Sequence, residues 1–371
     1  MSGRFVIRCS SVCVALILVC SSVMAQEHLE TLTAGQADIA FAGPLAFGPD
    51  GVLFVGDPKS ASVFALDTGD RESGEFAPFE ITGIDEKLAA ALGTAADQIV
   101  INDLAVNPIS GVSYLSVSRG SGPDATAAIV TVASDSSIDT LDLKDIPHAV
   151  AELPNPPAED AKDRRGRPQR ILSITDISLI DNQVVVAGLT NEDFASNLRA
   201  IPYPFAEDAG GTALEVYHGA HGAWETHAPV RTFAGITLDD EPYIVAAYTC
   251  TPLVRFPLSE ITSGDKIRGT TVAELGNRNR PLDMFVYKKD GEKFILMANS
   301  HRGMMKISTS EISRDEGIAE PVRGGGTEGQ TYDTLGDLEG TVQLDRYGPD
   351  HALLIVKNDD NSHDLKVVLL P

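Results

Sequence analysis

Apolar and polar residues alternate with a period of two in short runs along the chain, and the runs come in pairs. The stretch "PLAFGPDGVLFVGD" (44–57) sets the pattern: an apolar strand, a turn of Pro, Asp and Gly, and a second apolar strand. It returns as "DLAVNPISGVSYLSV" from Asp103, "DISLIDNQVVVAGLT" from Asp176 and "GITLDDEPYIVAAYT" from Gly235. Two further copies are "DMFVYKKDGEKFILMANS" from Asp283 and "TVQLDRYGPDHALLIVKN" from Thr341. Runs rich in Val, Ile, Leu and Tyr, split by turn residues, predict antiparallel hairpins. A third short strand follows each: "SVFALD", "AAIVTV", "NLRAIPYPF", "LVRFPL", "MMKIST" and "DLKVVLL". One stretch, "DEKLAAALG" (85–93), reads as a short helix with Asp85 as N-cap and Gly93 as its stop.

Anchored on Leu45, Leu104, Ile177, Ile236, Met284 and Val342, the copies are spaced by 59, 73, 59, 48 and 58 residues. Repeats of this size, each a small antiparallel sheet, predict an all-β, six-bladed β-propeller. The sixth copy holds only three strands before Pro371. "ADIAFAG" (37–43) is therefore expected to close the ring as the outer strand of the last blade and to cover its edge. The Pro- and charge-rich segment 152–169 accounts for the long step of 73, and the glycine-rich segment 322–340 reads as a flexible connection.

On these residues, and above all "FGPDGVLFVGDPKSASVFALD", the chain resembles the six-bladed propeller superfamily of NHL-repeat proteins, gluconolactonase-like hydrolases and soluble quinoprotein sugar dehydrogenases. The resemblance implies architecture. It does not carry an activity, because one superfold hosts many chemistries.

The N-terminus changes the picture of where the protein works. Arg4 and Arg8 precede "VCVALILV" (12–19), too short to span a bilayer, and "VMA" (23–25) supplies small residues for cleavage after Ala25. The expectation is a signal peptide over 1–25 and a single propeller over 26–371, periplasmic or secreted, with no membrane span. Lipid attachment at Cys20 is the weaker alternative, because Val19 stands where a small residue is wanted. Cys250 is then the one cysteine of the mature chain, which excludes an internal disulfide and C-x-x-C-H haem attachment. Its place after an apolar strand reads as a buried small residue.

Of 29 basic residues 27 remain beyond the signal, against 53 acidic ones, so the mature chain carries a net charge of about −26. Such a surface repels nucleic acid and anionic lipid, which leaves a small molecule, a glycan or a protein at the channel face as the partner.

Three groups of residues are candidates for chemistry. The position before each anchor holds Asp103, Asp176 and Asp283 in three copies, which converge near the axis of a ring. Converging carboxylates call for a hard cation such as Ca²⁺, or each caps its own turn through backbone amides. The end of the second strand holds Asp57, Ser118, Asn191, Thr249, Asn299 and Asn358. Beside Asn299 lie His301, a candidate proton carrier, and Arg302, while Arg278 and Arg280 stand shortly before Asp283. Asn191, Asn299, Arg280 and Arg302 are thus expected to bind substrate, the arginines through an anionic group or else in salt bridges. Finally, "YHGAHGAWETHAPVR" gathers His218, His221 and His227 around Trp224 and Glu225. These histidines suit Zn²⁺ or another transition metal with Glu225 as a fourth ligand, a loop packed on Trp224, or a general base.

No nucleophile elbow G-x-S-x-G and no Ser-x-x-Lys is present. The sequence leads to a ligand- or protein-binding propeller. A metal-dependent lactonase or ester hydrolase at the channel mouth is the alternative, and a quinoprotein-type dehydrogenase the third reading.

Overall fold

The computed structural model describes residues 28–120, 124–205, 209–250, 252–314 and 316–371, so the expected signal peptide lies outside the described residues. Six sheets stand around one axis as the six blades of a β-propeller, antiparallel except where Lys266–Arg268 pairs in parallel with Thr212–His218 of blade 3. From the axis outward, blade 1 is Leu45–Phe47, Val52–Asp57, Ser62–Asp67, Ile146–Glu152 and Thr33–Gly35, and blade 2 is Ile99–Val106, Ser113–Arg119, Thr126–Val132 and Ile138–Thr140. Blades 3, 4, 5 and 6 begin on the inner strands Asp176–Ile180, Thr232–Leu238, Pro281–Lys289 and Thr341–Tyr347.

The blades do not follow one another round the ring in chain order. Inner strands touch in the cycle 1-3-4-5-6-2, so blade 2 sits between blades 6 and 1. The core repeats this order. Val52 and Phe54 pack with Ile177 and Val184 of blade 3, whereas Leu53 and Val55 pack with Tyr114 and Ile129 of blade 2. Successive side chains of a strand point to opposite faces. The unbroken apolar run "VLFV" is therefore what a blade needs when both its faces are covered. Leu115 and Val117 of blade 2 meet Leu353 and Ile355 of blade 6.

Two crossings produce this order. After its third strand, blade 1 leads to Glu80–Ile81, which pairs with His363–Leu369 as the outer strand of blade 6. The chain then builds blade 2 and returns as Ile146–Glu152, the fourth strand of blade 1. The segment 37–43 forms no strand. Its amides are taken up elsewhere: Ala37 N–H donates to Leu143 O, Ala40 N–H to the buried Asp57 carboxylate, and Gly43 N–H to Gly56 O. A segment so bound has no ladder left for the last blade.

Three smaller expectations also shift. The helix runs Ile84–Leu92 and ends at Gly93, whose φ of 64° suits glycine, but Gly83 is its N-cap and Asp85 accepts from His363 N–H instead. The glycine-rich segment contains Tyr332–Leu335, the fourth strand of blade 5, and Thr327–Gly329 at the edge of blade 4. Cys250 is half-buried in the turn after the second strand of blade 4. No helix among the described residues is long and apolar enough to cross a membrane.

Candidate functional site at the channel mouth

All six inner strands line a channel of about 830 Å³, into which Asp103, Asp176 and Asp283 face together with Asp345. The structure thus brings the three expected aspartates to one place and adds a fourth. Each carboxylate bridges two blades. Leu45 N–H donates to Asp103 Oδ2 at 2.7 Å, Phe233 N–H to Asp176 Oδ2 at 2.8 Å, and Leu344 N–H to Asp283 Oδ2 at 2.8 Å. Val106 N–H donates to Asp345 Oδ2 at 2.7 Å. In three of them the other oxygen accepts from the next residue of its own strand: Ile177, Met284 and Arg346. In blades 2 and 5 a β-bulge immediately precedes the aspartate, and bulges re-aim side chains in this way.

The aspartates are partly open to the channel lumen yet enclosed by protein, and burial raises all four. Asp176 is pushed up to about 7 and Asp345 to about 6. Asp103 and Asp283 rise well above the usual range, first through burial and then through the charges of neighbouring aspartates. Their backbone hydrogen bonds oppose the rise without cancelling it. Among the described residues these carboxylates do not form a close ligand cluster of the kind found on the rim (below).

Asp345 does not emerge from the repeat alignment because it stands two residues further along its strand: the bulge between Thr341 and Gln343 matches those before Asp103 and Asp283, which leaves Gln343 at their place in blade 6. Its sequence signal is an aspartate inside the apolar strand "VQLDRY".

Directly before the aspartates, the starts of the inner strands line a second space of about 340 Å³, through Pro44, Asn102, Thr175, Arg231, Arg280 and Gln343 among others. The aspartate belt therefore lies between an outer mouth and the channel. Arg231 is half-buried and donates through Nε to Thr249 Oγ1 at 3.0 Å. Burial lowers its guanidinium to about 10, and the charges of Arg280 and Arg167 add to the effect. Arg167 pairs with Asp163, but among the described residues neither Arg231 nor Arg280 has a carboxylate partner. Sequence reasoning misses Arg231, although it precedes an inner strand just as Arg280 does.

The remaining candidates divide. Asn299, His301 and Arg302 line a groove of about 1060 Å³ between blades 5 and 6, and Leu282 joins this groove to the mouth. Asn299 is buried and shapes its turn, donating to Asn279 Oδ1 at 3.0 Å and accepting from His301 N–H. His301 is exposed beside Ser300, and Arg302 donates to Asn277 O. Asn191 is exposed on a loop, its N–H bonded to Asn155 O. In the third group His218 and His221 meet at Glu225, while His227 stands apart, exposed and bonded to Thr226. The pairing of Glu225 with Val216 carries the chain back along the strand, so His227 lies beyond the hairpin.

No family model matches the chain, and no curated protein matches it in sequence. Solved structures are similar in fold. A protein described as an oxidoreductase (glucose dehydrogenase) from Thermus thermophilus is 12% identical, with 91% of this chain and 100% of that one covered at a TM-score of 0.36. The PQQ-bound aldose sugar dehydrogenase of Streptomyces coelicolor is 12% identical over 92% and 99% of the two chains, with a TM-score of 0.34. Virginiamycin B lyase of Staphylococcus aureus is likewise 12% identical over 92% and 99%, with a TM-score of 0.32. At such identities the likeness extends to the propeller fold alone, and the site has to be read from its own residues.

Proposed function

We propose that this protein is a binding propeller that takes a small anionic ligand, carrying a carboxylate or phosphate, at the mouth above the aspartate belt. One observation carries the reading. In a chain with 53 acidic and 29 basic residues, two arginines converge on the axis with no carboxylate between them. Arg231 is half-buried and Arg280 exposed beside it, their like charges repel, and an anion accepting their hydrogen bonds removes that repulsion. The acidic surface elsewhere turns anions away, so any capture rests on the two arginines themselves. The aspartate belt also fits a binder, because its oxygens are occupied by backbone amides that hold the blades together.

The test is calorimetric titration with citrate, inorganic phosphate and sulfate at low ionic strength. Citrate is expected to bind, to weaken with added salt, and to lose roughly 10- to 100-fold in affinity in Arg231→Gln/Arg280→Gln. Failure of all three anions, or equal affinity in the double variant, would overturn the proposal.

A metal-dependent lactonase or ester hydrolase remains the second reading, supported by the mutual repulsion of Asp103, Asp176 and Asp283 around an open channel. A divalent cation there would hold the carboxylates ionised and polarise a carbonyl, with His301 in the adjoining groove to move a proton. It requires that millimolar Ca²⁺ raise the melting temperature, and that Asp103→Asn/Asp283→Asn abolish the rise.

A further inference from the structure

The outer edge of blade 3 carries a cluster that the channel does not use. Strand Thr212–His218 turns back through Ala223–Glu225, with His218 opposite Ala223 and Val216 opposite Glu225. The turn is tight: His221 N–H and Gly222 N–H both donate to His218 O, and Gly222 has a φ of 63°. This geometry brings the two imidazoles to 3.9 Å between ring centroids. Glu225 reaches both, with Oε2 3.1 Å from His218 Nδ1 and Oε1 2.5 Å from His221 Nδ1. One ligand atom from each of the three residues lies within 4.8 Å of the others.

A fourth group comes from the neighbouring blade. Glu274, on Thr270–Leu275 of blade 4, is fully buried and accepts from Gly219 N–H at 2.5 Å, directly after His218. Its second oxygen, Oε2, is buried with no partner. His218 is only 3% exposed, and its Nε2 is likewise buried with no partner. Two orphaned polar atoms in one small cluster are rare in a native fold, and an unplaced ion is a standard reason for them. Hydrogen bonding within the hairpin does not explain them, because Glu225 already serves both Nδ1 atoms.

We propose that His218, His221 and Glu225 form a structural site for a borderline divalent metal of the Zn²⁺ class, supported from blade 4 by Glu274. Two imidazoles with carboxylates suit such an ion, whereas Ca²⁺ and Mg²⁺ prefer all-oxygen shells. The metal adds to bonds that already join the strands of blades 3 and 4, from Thr271 Oγ1 to Tyr217 O at 2.6 Å and from Gly219 N–H to Glu274. Trp224, the single tryptophan, stacks edge-on against Tyr217 in the same hairpin with 5.5 Å between centroids, so it reports on the site directly.

The experiment is Zn²⁺ titration of the chelator-stripped protein, followed by tryptophan fluorescence and by competition with a chromogenic chelator. One Zn²⁺ per chain is expected, with a fluorescence change and a higher melting temperature that EDTA reverses. His221 is exposed, so His221→Ala should fold normally and lose the stoichiometric ion. Glu274→Gln should weaken binding by about 10- to 100-fold, as loss of a supporting carboxylate does. His227→Ala should bind as the unaltered protein does. No binding by the unaltered protein, or equal binding in His221→Ala, would overturn the assignment.

Discussion

The aspartates of the channel and Glu225 of the rim hairpin are all partly buried carboxylates, yet the protein moves their protons in opposite directions. Asp176 is raised to about 7 because burial is opposed only by neutral hydrogen-bond donors, chiefly backbone amides. Glu225 also meets a burial cost that would raise it, but hydrogen bonds from His218 and His221 outweigh that cost and hold it near 2. The contrast shows that burial alone does not decide the charge of an acid. The partner does, and a neutral amide is a weaker partner than an imidazole that can become cationic. Folding in the channel favours the protonated acid, while folding at the rim favours the ionised one.

The largest effect follows from the sign of that difference. Asp176 titrates at about 7 when folded against an ordinary 3.8, so its favourable contribution is present below about pH 4 and is lost as the pH rises to about 7. Relative to Asp176→Asn, the unaltered protein should lose up to about 4 kcal/mol across that window, measured by urea unfolding at several pH values. A pH-independent difference would mean that the channel carboxylate is not strained. Next, Asp283→Ala cuts the bond from Leu344 N–H that ties blade 5 to blade 6, together with the local one from Met284 N–H. A loss of about 2–3 kcal/mol is expected at pH 5, and a neutral result would show that these bridges do not hold the ring.

At the rim the dependence reverses. Glu225 falls from an ordinary 4.5 to about 2, so its stabilisation is present above about pH 4.5 and lost as the pH drops toward 2. Against Glu225→Gln the advantage should reach about 1 kcal/mol, since the side chain is a quarter exposed and solvent screens it. Loss of stability on raising the pH instead would break the comparison. The smallest effect is expected from His227→Ala, within about 0.5 kcal/mol by thermal melting, because this exposed residue stands outside the cluster.

Much of the ring is legible without coordinates. Each hairpin expected from the alternation is a pair of adjacent strands, and each third strand pairs where its run of Val, Ile and Leu falls. These pairings are local, and a strand, a turn and a returning strand leave their whole record within some twenty residues. Asp103, Asp176 and Asp283 emerge because a repeat alignment also predicts which positions converge. Asp345 does not, because it lies one inward-facing position further along its strand than Asp103 and Asp283, whose place in blade 6 is taken by Gln343.

The order of the blades was decided by the tertiary structure alone. Glu80–Ile81 could add to any open edge, and its pairing with Leu365 and Lys366 is a main-chain contact with no side-chain signature. The same holds for Ile146–Glu152, which returns to blade 1 across a full blade. The two candidate sites follow from that arrangement. Arg231 and Arg280 share a mouth, and Glu274 reaches His218, because inner and outer strands from different repeats are brought side by side. Sequence determines the units because their bonds are short-range. Their arrangement rests on packing between distant faces, where one apolar surface reads much like another.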